Sequence, residues 1–295
     1  MCCPRTCGVN RLEGEVGFCR IGAASPIAHA GLHFGEEPPI SGSRGSGTIF
    51  FVGCNLRCLF CQNSDISQGF GTLNSESRTA SELAAEMLAL QEQGAHNINF
   101  VSPSHMIFQM ADAIQIAKKQ GLNLPVVYNS GGYDSVQALR AIRGLVDIYL
   151  PDLKYMDSEL AVRLSFAKGY VENVISVLEE MLDQVGILET DADGIATGGL
   201  LVRHLVLPGQ LANSQKCLDA LAALSPYLHV SLMSQYSPRY HACDVPDMNR
   251  PLSAEEYNSL VDYAADLGME HLYIQHIESQ THYLPDFQKN NPFES

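Results

Sequence analysis

Three cysteines stand within eight residues of the stretch GCNLRCLFCQN, at Cys54, Cys58 and Cys61, in the pattern C-x3-C-x2-C. A structural zinc site favours paired C-x2-4-C spacings and four protein ligands, and no fourth cysteine lies nearby. An odd number of thiols also defeats a set of disulfides. Three thiolates can instead hold three irons of a [4Fe–4S] cube, leaving the fourth iron open to a bound small molecule. The missing thiol then reads as a vacancy for substrate. The competing readings are a zinc knuckle completed by a distant histidine and three unligated thiols.

A second set, Cys2, Cys3, Cys7 and Cys19, lies near the front of the chain, and only Cys217 and Cys243 lie beyond the two sets. Four thiols can close a tetrahedral zinc site or hold an auxiliary iron–sulfur cluster, against the alternative of free thiols. Adjacent Cys2 and Cys3 would chelate one metal awkwardly. His29 and His33 are four apart, a coligand spacing on a helical turn, although Pro38 and Pro39 oppose a long helix there. Glu36 and Glu37 either reach the mouth of the following domain or lie as exposed loop carboxylates.

The 295 residues suit one large domain or two small ones, and α/β barrels commonly run this long as one unit. With 46% hydrophobic and 17% charged residues, a sizeable core is expected. The formal net charge of −15 argues against a general nucleic-acid binder, which needs a basic face to displace counterions. No apolar run reaches the ~18 residues needed to span a bilayer. The N-terminal MCCPRTCGVNR lacks the apolar stretch of a signal peptide, so the expectation is a soluble, cytoplasmic protein. There, abundant cysteine points to metal or redox chemistry rather than disulfides.

These thiols need a frame. Short apolar runs at 48–53, 97–101, 125–129, 146–151, 200–207, 229–236 and 271–275 read as strands. Helical patterns separate them. Thr79 stands three residues before Glu82, a capping-box spacing, with Gly94 as a stop. Ile107, Met110, Ile114 and Ala117 share one helical face. Further helices are expected over 134–143, 171–185, 212–224 and 253–267. Such alternation implies parallel strands with helical crossovers, in a complete or partial barrel or an open doubly wound sheet. In either fold, function gathers at the C-terminal ends of the strands. Residues 186–199 read as a polar, glycine-rich loop. Residues 1–45 read as a small appended Cys-rich unit, 46–280 as the main domain and 281–295 as a tail.

Polar residues follow several strands. Ser102, Ser104 and His105 follow the second, and Ser104 suits either a ligand contact or the N-cap of the next helix. Asn129 and Ser130 follow the third, with Gly131 and Gly132 allowing close approach to a ligand or a plain turn. Asp152 and Lys154, two apart, face one way if the chain stays extended. Their alternative is a surface ion pair. Arg203 interrupts an apolar strand and needs an anionic partner, supplied by a ligand or by an internal Asp. His204 lies on the opposite face and reads as a satisfied core histidine. Gln235 and Tyr236 end the sixth strand.

From about Thr48 to Gln275 this constellation resembles the radical S-adenosylmethionine (SAM) superfamily. The stretches EEPPISGSRGSGTIFFVGCNLRCLFCQN, VYNSGGYDS, DIYLPDLKY and LVRHLVLPG are similar, more narrowly, to an uncharacterised activase-like branch of the pyruvate formate-lyase activating enzyme subgroup. The resemblance implies an α/β partial (β/α)6 TIM-type barrel with a small N-terminal Cys-rich extension. It implies a [4Fe–4S] cluster on Cys54, Cys58 and Cys61, and SAM, cleaved reductively to a 5′-deoxyadenosyl radical that abstracts hydrogen. Ser102, Ser104 and His105 stand where activases carry a Gly-Gly-Glu motif for the SAM amino group. Asn129 and Ser130 match an Asp-Thr pair beside a monovalent cation. Asp152 is assigned to the cation or ribose region and Lys154 to the SAM carboxylate; read from the residues alone, Arg203 would meet the SAM carboxylate, the substrate or an internal Asp, and Gln235 and Tyr236 are candidates for adenosine contact.

Expected partners are an electron donor of flavodoxin or ferredoxin type and a glycyl-radical protein to be activated. The alternative is a small-molecule or peptide substrate, and the last reading is a non-catalytic iron–sulfur or zinc module. A barrel mouth left open by the C-terminal chain would favour a macromolecular substrate.

Overall fold

The computed structural model describes residues 2–68, 76–277, 284–289 and 291–293. Strand β1 (Ser25–His33) and a one-turn α1 (Pro38–Ser41) lead into β2 (Ser46–Phe51). A short α2 (Ser64–Ser67) and β3 (Glu76–Arg78) precede α3 (Ala80–Glu92). Strand and helix then alternate through β4 (Ile98–Val101), α4 (Ile107–Lys119), β5 (Val126–Ser130), α5 (Val136–Ala141) and β6 (Ile148–Pro151). Two helices, α6 (Ser158–Ser165) and α7 (Tyr170–Val185), come before β7 (Glu189–Thr190) and β8 (Ala196–Leu205). The chain continues through α8 (Leu211–Leu224), β9 (His229–Met233), α9 (Ala254–Asp266) and β10 (Leu272–Ile274).

Strands β2, β4, β5, β6, β8, β9 and β10 pair in that spatial order, all parallel. They are the seven apolar runs read from the sequence, so the parallel sheet has one strand more than a (β/α)6 count. Among the described residues no ladder joins β10 to β3, which leaves the barrel partial. Helix α3 starts on the expected capping box, with both reciprocal bonds between Thr79 and Glu82 formed. Helix α4 buries the expected face of Ile107, Met110, Ile114 and Ala117.

Two expectations change, and residues 1–45 carry β1, which adds antiparallel to β2 while Cys19 and Ile21 join the main core. Its SPIAHAGLH sequence carries Ala, Gly and Pro, which have low strand preference, and pairing with β2 overrides them. The loop at 186–199 holds β7 and the start of β8, paired as a hairpin. Gly199 sits at φ +109°, where a Cβ would fall 2.4 Å from the Ile187 carbonyl oxygen, so the hairpin needs a glycine there. Helix α6, unforeseen, is started by the Asp157 side chain, which accepts from Leu160 N at 2.9 Å. No helix among the described residues is long and apolar enough to cross a membrane.

His204 is the core histidine expected. Its Nδ1 lies 2.6 Å from the Leu153 carbonyl and its Nε2 lies 2.9 Å from Ser214 Oγ, so Nδ1 carries the proton and Nε2 accepts. Burial holds both His204 and His105 down at about 4. A base whose folded pKa is depressed contributes stability above its unfolded value, and that stability is lost as pH falls toward the folded value. Each ring therefore contributes on the order of 3 kcal/mol at neutral pH that fades between roughly pH 6.5 and 4. Urea unfolding of cluster-free protein should show a midpoint falling across this window, and His204→Gln should flatten the slope. An unchanged slope would mean that His204 is already protonated in the fold.

Candidate active site

The turn after β2 carries the three cysteines, and it is tied down from several sides. Arg57 N and Leu59 N donate to the carbonyls of Ser165 and Leu164, at 3.3 and 2.8 Å. Asn55 Nδ2 donates to the Tyr133 carbonyl at 2.5 Å, and Arg57 Nη2 to that of Phe18 at 2.9 Å. Gly53, at φ +80°, lies against the Cys19 carbonyl, where a Cβ would come within 2.7 Å. The N-terminal extension thus braces the cysteine turn. The sulfurs are in polar contact too: Cys58 Sγ accepts from Ser165 Oγ at 3.0 Å, and Cys61 Sγ meets Ser67 Oγ at 3.3 Å. Burial raises all three thiols, Cys54 to about 12 and Cys61 to about 11.

Cys54, Cys58 and Cys61 line a cavity of about 220 Å³ whose other walls include Asn129, Asp152, Lys154 and Arg203. Asp152 is the hub. Arg203 Nε donates to its Oδ1 at 2.8 Å, and Lys154 Nζ to its Oδ2 at 2.5 Å. Burial alone would raise the Asp152 carboxyl, but Arg203 and then Lys154 hold it below its ordinary value. Arg203 is a three-way clamp, with Nη2 also donating to Asn129 Oδ1 at 2.6 Å and Nη1 to Glu36 Oε2 at 3.3 Å. Its anionic partner is therefore internal. Burial opposes the Lys154 charge, but Asp152 and Cys58 outweigh it, so the ammonium stays charged beside the cysteine turn. The pair is buried, not the surface pair of the alternative reading.

The remaining candidates divide. Ser102 lines the cavity in the left-handed region, φ 57° and ψ 50°, a conformation a non-glycine residue holds only when its surroundings impose it. Gln235 also lines the cavity, with its carbonyl accepting from Gln62 Nε2 at 2.9 Å. Ser104 is not among the lining residues and does not cap α4, whose N-cap, Met106, makes no side-chain bond. It is buried where Asp134 and Tyr128 take its hydroxyl. His105 likewise turns to the Val52 carbonyl, 2.9 Å away. Gly132 makes its close approach to the Asp152 carbonyl rather than to a ligand, since a Cβ would fall 2.2 Å from it. Tyr236 donates to the Met248 carbonyl and is not a lining residue.

Three of the N-terminal thiols lie within electrostatic reach of one another: burial first, then the neighbouring Cys19 and Cys7, push the Cys3 thiol up to about 11. Cys19 Sγ accepts from Arg11 Nη2 at 3.1 Å, and Cys7 Sγ from Phe18 N at 3.4 Å. Among the described residues no three His, Cys, Asp or Glu side chains are grouped to hold a single ion, at either set of cysteines. A zinc ion draws its sulfurs to one point, whereas a cube spreads its thiolates over separate irons. Thiols set too wide for one zinc ion are therefore still open to a cluster. His29 and His33 sit on a strand, not a helical turn, and pack against Phe50 and Phe293.

The Radical SAM superfamily model matches residues 48–188. An uncharacterized protein of Methanocaldococcus jannaschii is 32% identical over 277 residues, covering 92% of this chain and 75% of its own length. The chain belongs to the radical SAM superfamily. Pyruvate formate-lyase-activating enzyme of Clostridium pasteurianum is 26% identical over 117 residues, 38% of this chain and 46% of that enzyme. The solved structure of Streptococcus suis SuiB bound to S-adenosylmethionine has a TM-score of 0.53 at 10% identity, over 78% of this chain and 50% of that one. This last likeness supports the radical SAM barrel alone. The chain spans about half the length of that solved protein.

Superfamily membership implies a [4Fe–4S] cluster and SAM, and the cavity fits both. Its wall carries the three thiols and, next to them, a cation in Lys154. Residues that the sequence reading set lower also belong to this wall. Glu36 and Glu37 are buried in it, brought there by the segment between β1 and α1. The one signal for them was the need of Arg203 for anions.

Proposed function

We propose that this chain is a radical SAM enzyme that abstracts hydrogen from a small molecule, or from a peptide side chain, admitted to the cavity beside Cys54, Cys58 and Cys61. When bound, the cluster and SAM supply a one-electron cleavage giving methionine and a 5′-deoxyadenosyl radical. The protein supplies position and a dry site. The observation that carries the reading is the shared cavity wall of the three thiols, Lys154 and Asp152. Lys154 takes a carboxylate, and Asp152, held ionised by Arg203, fixes where Lys154 stands. Arg203 is then a positioning residue, each of its three nitrogens already engaged. The electron comes from a donor of flavodoxin or ferredoxin type.

A small substrate is favoured over a macromolecule by the C-terminal chain. Pro285 and Phe293 line the cavity, so its mouth is narrower than an uncovered barrel would leave it. Anoxic protein given dithionite and SAM should release 5′-deoxyadenosine. Lys154→Ala should weaken SAM binding by roughly 10- to 100-fold, the loss of one charge-assisted hydrogen bond. Absence of 5′-deoxyadenosine from iron-replete protein would overturn the reading, and unchanged SAM affinity would remove Lys154 from it.

A second reading is favoured by the partial similarity to the Clostridium activating enzyme: transfer of the radical to a glycine of a partner protein. Its mark would be a doublet glycyl-radical EPR signal on the partner. Stimulation of 5′-deoxyadenosine release by a metabolite, with no protein radical, would reject it.

A further inference from the structure

We infer that the same cavity holds a binding site for a cationic group of the substrate, an ammonium or guanidinium joined to an apolar body, with Glu37 as its counter-ion. The inference rests on the proposed radical chemistry only for the word substrate. The site itself stands on this chain's side chains.

Glu37 is the N-cap residue of α1, yet its side chain makes no capping bond. It turns instead into the cavity wall, 7% exposed, and its Oε2 has no hydrogen-bond partner among the described residues. Leaving a buried carboxylate oxygen unsatisfied is costly, so the fold that keeps it there calls for a ligand that donates. Arg203 lies within electrostatic reach of it, but none of the hydrogen bonds of Arg203 goes to Glu37. Glu36, next in the chain, is already engaged by His33 Nδ1 and by Arg203 Nη1, each at 3.3 Å. Arg203 is shared among Asp152, Asn129 and Glu36. Lys154 is paired with Asp152.

The wall therefore sets three carboxylates, Glu36, Glu37 and Asp152, against two fixed cations, Lys154 and Arg203. With Glu37 ionised, one negative charge is left over; burial raises the Glu37 carboxyl, and a cation donating to Oε2 would hold it ionised. Part of the remaining lining is apolar, with Phe50, Leu205, Met233 and Phe293 facing the same space. His33 joins the two zones, in contact with Glu36 on one side and with its ring centroid 4.2 Å from that of Phe293 on the other. A ligand with a cationic head and an apolar or aromatic body matches this order of surfaces. A carboxylate set directly against Glu37 would meet like charge and be disfavoured there.

The probes are phenethylammonium, 2-phenylethanol and 3-phenylpropionate, which share a body and differ in charge. Binding to iron-replete protein, measured by calorimetry, should favour phenethylammonium over the alcohol by about tenfold or more, with the carboxylate weakest. Glu37→Gln should bring the ammonium down to the level of the alcohol, and Glu37→Asp should restore part of the difference. Equal binding of the three probes by the unaltered protein would overturn the proposal without recourse to any variant. So would a loss of SAM affinity in Glu37→Gln as large as the loss of ammonium affinity, which would assign Glu37 to SAM. Iron content and 5′-deoxyadenosine release, measured on the same preparation, report separately on the radical chemistry.

Discussion

Cys58→Ala should strip the protein of its iron and abolish 5′-deoxyadenosine release, the largest change expected from any single substitution here. The unaltered protein should hold about four irons per chain, three of them on thiolates of this turn. Removing one thiolate leaves an iron without a protein ligand in a site whose fourth iron already lacks one. The fold should survive the change. Cys58 is buried, and its loss leaves Ser165 Oγ without one acceptor, but Ser165 Oγ still meets Tyr155 OH at 2.6 Å. The cysteine turn is also held by the backbone bonds of Arg57 and Leu59, which do not involve the thiol. Helical circular dichroism should thus be preserved while iron, measured by mass spectrometry, falls to background. Cys217→Ala is the control: this thiol is buried in α8, outside the cavity, and its loss should leave the iron in place. Full iron in Cys58→Ala would refute the cluster assignment.

Legibility in the sequence followed the range of the interactions. The Cys54 turn could be read because its ligands are close in the chain and sit directly after an apolar strand. The seven parallel strands could be read because burial on both faces makes them apolar runs, as in TIFFVG and VDIYLP. Arg203 announced itself as a charge inside such a run. Its partners could not be read, since Glu36 lies 167 residues earlier and Asn129 lies 74 earlier. Only the folded sheet brings them together. Strand β1 was hidden for a related reason: its residues are mostly half-buried and carry little strand preference, so its identity comes from the β2 edge that it covers. Ser104 misled because its position fits a helix cap, while the 3-10 turn at Pro103–His105 postpones the start of α4 and turns the hydroxyl toward Asp134. Glu37 misled because two adjacent glutamates before two prolines look like a solvated loop.

Asp152→Ala should be the most destabilising change in the cavity that leaves the cysteines intact, at roughly 3–5 kcal/mol. The carboxylate is the shared partner of two cations whose side chains are each only 15% exposed. Removing it leaves Arg203 and Lys154 near each other without the charge between them, and neither can return to water without moving the strands that carry it. Arg203 keeps Asn129 and Glu36, so the greater loss falls on Lys154, whose ion-pair partner among the described residues is Asp152. SAM affinity should fall with stability, because an unanchored Lys154 no longer presents its ammonium at a fixed place. The two effects separate in the double variant Asp152→Leu with Lys154→Met. Replacing a buried pair by apolar groups of similar volume is often neutral for stability, while the carboxylate contact remains absent. Denaturant unfolding of the cluster-free proteins should place the double variant well above Asp152→Ala, and SAM binding to the iron-replete proteins should be weak in both. If instead Asp152→Ala costs less than about 1 kcal/mol, as a solvated ion pair would, water reaches Lys154 and Arg203 freely. The dry site that a radical enzyme needs would then have to be built by SAM itself on binding.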